Sequence, residues 1–345
     1  MTQGWVVVGL DNGGTSNNGT VLDAGGAFLV DRMVEVPSRV HDGPEVAIAA
    51  MEEALTTVLD HVGVPRAAVR AVGLDSPGPA SAAGVISSLG ATNFAEPEWR
   101  GFDLRTGLEK RLGLPVVYNN DGNAAALYAH HVHHGAQAEH ASSVSAIVGT
   151  GLGGGLVEAG HVIRGAAGMG GELGHVLIPM DGLLADDQPP PRCNCGQTGD
   201  VESVASLSGI MMNLLPYWLT KFPGHPLGEV EIRSAAKQVR SLGEAGDPLA
   251  LKVFEQQAMA LGRLFSIASN FTDPNTYFVG GGVVETQPHF RQWFLDTVRE
   301  HTRLRPEQVA VATFALVPDL DMAGARGSAV AARDIVLRGE SGGLL

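Results

Sequence analysis

The chain has 345 residues, with 23 Lys plus Arg against 37 Asp plus Glu and a formal net charge of −14 at pH 7. No basic stretch interrupts that acidic balance, so the electrostatic footprint that draws nucleic acid or anionic lipid is missing, and no window reaches the ~18 uncharged apolar residues of a membrane span. The length suits roughly two domains. The opening MTQGWVVVGLDNGG, without a basic segment and long apolar run, leads us to expect a cytoplasmic protein.

Taken in chain order, WVVVGL reads as a strand, VAIAAMEEALTTVLDHVG as a helix and VRAVGLDSPG as a strand running into a loop. DLRTGLEKRLG then reads as a helix, PVVYNND as a strand and GNAAALYAHHVHHG as a helix. The HHVHH at the end of that last helix is expected to face solvent, where protonated His suits the C-terminal carbonyls. A second series starts at SVSAIVGTGLGGGLVEAGHVI and continues through helix-rich sequence from about Ser206 to Ser269. TYFVGGGVV and GARGSAVAARDIVLR close it. The alternation indicates an α/β architecture with a largely buried sheet, and the two series read as two domains.

The stretch GLDNGGTSNNGTVLD follows an apolar strand, and its GTVLDAGGAFL is echoed by GGLVEAGHVI at 154–163. A single glycine turn between strands is most often a hairpin; two copies of strand, turn, strand and acidic turn carry more information. GTGLGG has the spacing of a dinucleotide fingerprint, but another strand, not a helix, follows it. No glycine loop continues into Lys-Ser or Lys-Thr, so the common nucleotide-hydrolase loop is absent too. What remains is a pair of turns with bare amides and hydroxyls suited to phosphate oxygens, with the Asp11 carboxylate beside the first. The glycines that end TYFVGGGVV fit either close approach to a ligand or a tight packing contact. Asp121 falls where a buried strand meets a helix, a position that fits an N-cap or a carboxylate kept ionised for chemistry. The cysteines Cys193 and Cys195 are one residue apart, which suits metal ligation better than a disulfide.

Together the three glycine clusters resemble the superfamily of sugar kinases, actin and the 70 kDa chaperones. The motifs GLDNGGT, DSPGP, ATNFAEPEW, NNDGNAAAL, GTGLGGG, GMGGELGH, CNCG with GDVES, and GGGV then follow the order found in the bacterial repressor, open reading frame and kinase (ROK) family. The resemblance spans about residues 6 to 335. It implies a two-domain actin-like ATPase (ribonuclease H-like) fold with an interdomain cleft, residues 1–120 with 327–345 forming one domain and 121–326 the other. It also implies a glucokinase-like enzyme that phosphorylates the C6 hydroxyl of glucose, N-acetylmannosamine, N-acetylglucosamine or allose. A homodimer or homotetramer is expected, with neither nucleic acid nor membrane as partner.

Carried onto this sequence, the resemblance makes Asp121 the general base and gives sugar binding to Gly78, Asn93, Asn120, Asp121, Glu172, His175 and Glu202. It gives Mg²⁺-ATP to Asp11, Gly13, Gly14, Thr15, Thr150, Gly151, Gly281 and Gly282. Thr15-Ser16 replaces the family's usual Thr-Lys, which leaves polyphosphate or ADP open as donors. The family's structural zinc uses one His and three Cys; here His175, Cys193 and Cys195 are kept and Asp200 replaces the third Cys. A carboxylate is a permitted zinc ligand, so retained and lost zinc are both open readings. Two other functions come with the resemblance: a sugar-responsive repressor, expected less because the family's repressors carry a helix-turn-helix domain before the first hairpin, whose strand here begins at about Trp5, and a sugar-binding protein weak or inactive as a kinase.

Overall fold

The computed structural model describes residues 4–89, 91 and 93–340. Its contacts divide the chain into two compact units, Met1–Glu139 with Gly160–Gly171 and Pro318–Leu345, and His140–Ala159 with Glu172–Val317. Each is described over its described residues.

In the first unit, β1 (Val6–Asn12) turns into β2 (Ser16–Asp23), and β3 (Val34–Pro37) adds to the outer edge of β2. On its other side β1 runs parallel to β4 (Val69–Ser76), and β5 (Val116–Asn120) continues the sheet in the order β3-β2-β1-β4-β5. The apolar runs are buried on both faces, as the parallel part of a sheet requires. Val6, Val8 and Leu10 join a core with residues of α1 (Pro44–Val62) and α2 (Leu104–Leu112). Strand side chains alternate, so Gly9 faces the opposite way. A Cβ there would fall 1.9 Å from the Ala325 carbonyl oxygen in the C-terminal helix Leu320–Glu340. On β4 a Cβ at Gly73 would meet the Ser328 carbonyl oxygen at 1.8 Å. Bare backbone on two neighbouring strands lets this helix lie directly on the sheet.

The helix α3 (Asp121–His134) starts at the last residue of β5, and its N-cap is Asn120, whose side chain accepts from Gly122 and Asn123 N–H. Asp121 is therefore the first helical residue rather than the cap. The C-terminal helix also covers α3, where a Cβ at Gly327 would meet the Ala124 carbonyl oxygen at 1.7 Å. That packing draws α3 into the first unit. Residues 1–3, 90, 92 and 341–345 of the expected domain 1–120 with 327–345 lie outside the described residues. HHVHH is not uniformly solvent-facing. His130 is fully buried, its Nε2 2.9 Å from the Ala138 carbonyl, and burial pushes its pKa down to about 4.

The second unit repeats the plan. β6 (Ser142–Val148) and β7 (Leu152–Glu158) form an antiparallel hairpin, and strand Thr276–Gly281 lies parallel to β6 with Thr313–Leu316 parallel beyond it. The helices Ile232–Glu244, Pro248–Phe271 and Pro288–Glu300 contribute Val239, Phe254, Leu261 and Phe294 to its core. The segment MDGLLADDQPPPR, longer than the resemblance leads one to expect, is tied to helix Pro248–Phe271. Gln256 Nε2 donates to Gln188 Oε1 at 2.6 Å and to the Leu183 carbonyl at 3.0 Å. Among the described residues, no helix is long and apolar enough to cross a membrane.

The glycine contacts give a direct test. Gly73→Val places its side chain inside the backbone of the C-terminal helix, and overpacking of this kind costs about 1 to 3 kcal/mol or more. Chemical denaturation should show that loss, while Gly63→Ala, which meets nothing within 4 Å but has φ +67°, should cost only its backbone strain. An unchanged midpoint for Gly73→Val would contradict the packing.

Candidate active site

Parallel pairing in the first sheet sets residues side by side at the carboxyl ends of its strands. Asp11 of β1 is in register with Asp75 of β4, and Asp75 and Ser76 are in register with Asn119 and Asn120 of β5. Asp121 follows at once. Ligands of open α/β sheets bind at this edge.

The β1-β2 turn brings the glycines to the same edge. Gly13 N–H closes the turn by donating to the Ser16 carbonyl at 2.9 Å, so the amides the turn has to offer a phosphate are those of Gly14 and Thr15. Asn93, at φ 68°, lies against Gly14, where a Cβ would come 2.7 Å from its Oδ1. Gly78 stands by Asn120 in the same way, with 3.3 Å from its would-be Cβ to Asn120 Nδ2. Asn120 Oδ1 is committed to capping α3, which leaves its Nδ2 as the outward donor. Ser16 Oγ donates to Glu35 Oε1 at 2.9 Å, so this position carries a carboxylate in place of a cation.

Acids dominate this edge. Burial, then the charge of Asp121, raises the Asp11 pKa to about 6. Asp75 is fully buried and is raised well above the carboxylate range by burial and by Asp11. Its Oδ1 accepts from Ser328 Oγ at 3.0 Å, while its Oδ2 faces Asp11 across Gly324 and has no donor among the described residues unless one of the two acids carries a proton. Asp121 keeps contact with solvent, yet the protein crowded around it raises its carboxyl, against the pull of Gly122 N–H at 2.7 Å from Oδ1. A carboxylate raised toward neutrality is a better base.

The second unit brings together a different set. Gly149 N–H closes the β6-β7 turn on the Gly151 carbonyl at 2.9 Å, and the Gly149 and Thr150 carbonyls accept from Leu207 and Ser208 N–H. Glu202 lies against this turn: its Oε2 accepts Leu152 N–H at 2.8 Å and would be 2.5 Å from a Cβ on Gly151. A cavity of about 330 Å³, the size of a small-molecule site, opens beside Gly149 and Gly282 and is lined also by Lys237, Arg240, Phe254 and Gln257. Arg240 Nη1 donates to the Gly282 carbonyl at 3.0 Å. Gly281, at φ 90°, packs on Val148, where a Cβ would strike the carbonyl oxygen at 2.1 Å. Gly281, the last residue of this strand, thus packs on β6, and Gly282, just beyond it, borders the cavity.

His175, Cys193, Cys195 and Asp200 converge, with one donor atom from each within 4.8 Å of the others. His175 Nδ1 is 3.3 Å from Asp200 Oδ2 and 4.0 Å from Cys193 Sγ, and Cys195 Sγ is 3.5 Å from Asp200 Oδ2. A tetrahedral zinc with ordinary bond lengths has ligand-ligand edges of about 3.4 to 3.8 Å, so the donors fit one. Asp200 is fully buried, its other oxygen taken by Ser203 N–H at 2.9 Å. Burial pushes the Cys193 thiol up, and its Sγ also contacts Glu202 Oε1 at 3.4 Å. Glu172 immediately precedes the short turn Leu173–His175.

The sequence did not single out Asp75, Asn119, Arg164, Lys237 or Arg240. One signal was present for Asp75: VGLD occurs at 8–11 and again at 72–75, and those two copies pair residue for residue.

Residues 7–335 match the model of the ROK family. The chain is 31% identical over 317 residues to a glucokinase of Halalkalibacterium halodurans, covering 88% of this chain and 91% of that one. Its fold is similar to that of a ROK hexokinase from Thermus thermophilus, with a TM-score of 0.76, 30% identity and coverage of 97% and 100%. It is also similar to a ROK family glucokinase from Streptomyces griseus solved with glucose and AMPPNP, with a TM-score of 0.67, 27% identity and coverage of 95% and 99%. The actin-like ATPase fold of these kinases is thus that of this chain.

The acid pair predicts how stability varies with pH. Asp11 holds its proton to about pH 6 when folded and to about 3.8 when unfolded, so its contribution falls as pH rises from about 4 through 6. The loss is on the order of 3 kcal/mol. Asp75→Asn keeps an acceptor for Ser328 and removes the neighbouring acid. Its thermal midpoint should rise relative to the parent at pH 8, with a shallower decline from pH 5 to 7. A lower midpoint at pH 8 with an unchanged decline would contradict this.

Proposed function

Because the chain belongs to the ROK family and is a sugar kinase, we propose that it transfers the γ-phosphoryl group of ATP to the C6 hydroxyl of an aldohexose, glucose first among them. The observation that carries this reading is the sheet edge. Asp121 and the Asn120 amide stand at the end of β5, next in register to β4 and β1, so a base, a sugar-hydroxyl donor and the Asp11 turn share one line. The relatives act, by name, on glucose or on hexoses.

In this mechanism Asp121 accepts the C6 hydroxyl proton as that oxygen bonds to the γ-phosphorus and the bond to the β-phosphate oxygen breaks. The products are the sugar 6-phosphate and ADP, and the proton passes from Asp121 to water. Phosphoryl transfer asks mainly for position and charge stabilisation. Asn120 Nδ2 and Asn93 hold sugar hydroxyls, and the missing side chain at Gly78 leaves room for one. Glu172, His175 and Glu202 take hydroxyls on the anomeric side. The Gly14, Thr15, Thr150 and Gly151 turns donate N–H to phosphate oxygens, and the cavity beside Gly282 takes the nucleoside. Mg²⁺ bound with ATP neutralises developing phosphate charge. Asp11 fits it on this structure's own electrostatics, since burial and the charges of Asp121 and Glu35 raise its carboxyl and a cation would offset them.

Zinc, where bound, is structural and orients the His175 ring. His175, Cys193, Cys195 and Asp200 would hold it, the buried Asp200 charge being neutralised in the process. The protein is further assigned to the cytoplasm as a homodimer or homotetramer.

A panel of aldohexoses with Mg-ATP, read by ADP release and by NMR of the product, tests the reading. Glucose should give the highest kcat/KM among them and a 6-phosphate; turnover of no sugar, or phosphate at another oxygen, would contradict it. Metal analysis should find about one zinc per chain. Asp200→Ala should lose at least tenfold in affinity against a competing chelator, and undiminished occupancy would exclude Asp200 as a ligand.

A further inference from the structure

In the first unit a small recess of about 10 Å³ adjoins Asn120, lined among others by Ser81, Asn119, Asn123, Arg164 and Gly168. That volume is about the space of one water-sized group. Asn119, the penultimate residue of β5, and Asn123, in the first turn of α3, are 3% and 4% exposed.

Their amide orientations are fixed by partners of a single kind. Asn119 Oδ1 accepts from Arg164 Nη2 at 2.8 Å, and a guanidinium can only donate. Asn123 Nδ2 donates to the Gly170 carbonyl at 3.0 Å, and a carbonyl can only accept. The atoms left over are Asn119 Nδ2, a donor, and Asn123 Oδ1, an acceptor, and both are buried without a partner among the described residues. Leaving such atoms unpaired costs about 1 to 3 kcal/mol each. A hydroxyl is their complement, since its oxygen accepts from one while its hydrogen goes to the other.

We propose that this recess is a subsite for one ring hydroxyl of the sugar, distinct from the hydroxyl phosphorylated, read by Asn119 and Asn123 together. The inference rests on the sugar-kinase reading and names a specificity element for it. Asn120 and Asp121 lie in sequence between the two readers, so a sugar whose reactive hydroxyl meets Asp121 has neighbouring hydroxyls within reach of the recess. Arg164 and Gly170, which orient the two amides, belong to the segment Gly160–Gly171, which leads into Glu172. An aldohexose lacking that hydroxyl, or holding it in the opposite configuration, leaves both amides unpaired.

The test compares glucose with its 2-, 3- and 4-deoxy analogues on the parent and on Asn119→Asp, which keeps an acceptor for Arg164 and removes the donor. For one analogue the parent should lose about 30-fold or more in kcat/KM, each of the two unpaired atoms contributing the roughly 5- to 150-fold that 1 to 3 kcal/mol corresponds to. In Asn119→Asp that penalty should shrink by at least about fivefold, because only Asn123 Oδ1 is then left unpaired, with the penalties of the other analogues unchanged. Asn123→Ala should give the same pattern and serves if the first variant does not fold. A uniform loss for every sugar, with all three penalties unchanged, identifies a resident water and overturns the proposal. A crystal of the parent with glucose reads the subsite without a variant. A sugar oxygen within about 3.2 Å of both atoms supports it; a water or nothing there overturns it. That structure also separates this inference from the kinase reading, because glucose seated in the recess of a chain that phosphorylates nothing would sink only the latter.

Discussion

The register of three parallel strands governs the rest of the molecule. Asp11 against Asp75, and Ser76 against Asn120, set the first phosphate turn, a buried acid and the start of the base-bearing helix on one line. Because strand side chains alternate, a slip of one residue would turn every one of them to the other face. The register is held by burial of Val8, Leu10, Val72 and Leu74 on one side and by the C-terminal helix on the other, which approaches closely only because positions 9 and 73 carry no side chain. Residues far apart in sequence thereby fix the chemistry of a short edge.

Electrostatics at that edge run against stability. Asp11 and Asp75 are held near one another in a buried setting, and Asp121 adds its charge to both. Natural folds accept such strain where it serves a site. Burial also leaves Asp121 a stronger base than a fully solvated aspartate. Ser16 fits the same pattern: its bond to Glu35 adds a carboxylate near Asp11 where the family resemblance leads one to expect a lysine. In the second unit the buried Asp200 shows the same economy, one oxygen held by a backbone amide and the other turned to His175 and Cys195.

Much of the fold was legible because apolar strands and amphipathic helices alternate plainly, and the ordered motifs identified the family. The hairpin character of both glycine turns also followed from the strand after each. What sequence hid were pairings across the sheet. Asp75 was not singled out although the repeated VGLD aligned it with Asp11. Arg164 and Asn119 lie 45 positions apart and meet only through the folded segment around Gly168. The packing of α3 depends on a helix some 200 residues later, through a glycine contact that leaves no periodic signal. His130 likewise looked exposed within a polar run, and its burial follows from packing of the chain that turns back at Ala138. Asp200 was legible as a candidate ligand by its place in the motif, but only the fold brings its carboxylate to the His and Cys side chains.

The central claim is that Asp121, beyond its contact with the sugar, accepts the proton of the sugar hydroxyl. It is tested most directly by measuring glucose affinity by calorimetry and kcat in single turnover for the parent and for Asp121→Asn. The account predicts an affinity within a few fold of the parent and a kcat lower by about 10² to 10⁴. A variant that keeps its rate, or one that loses rate only in proportion to lost binding, would contradict it.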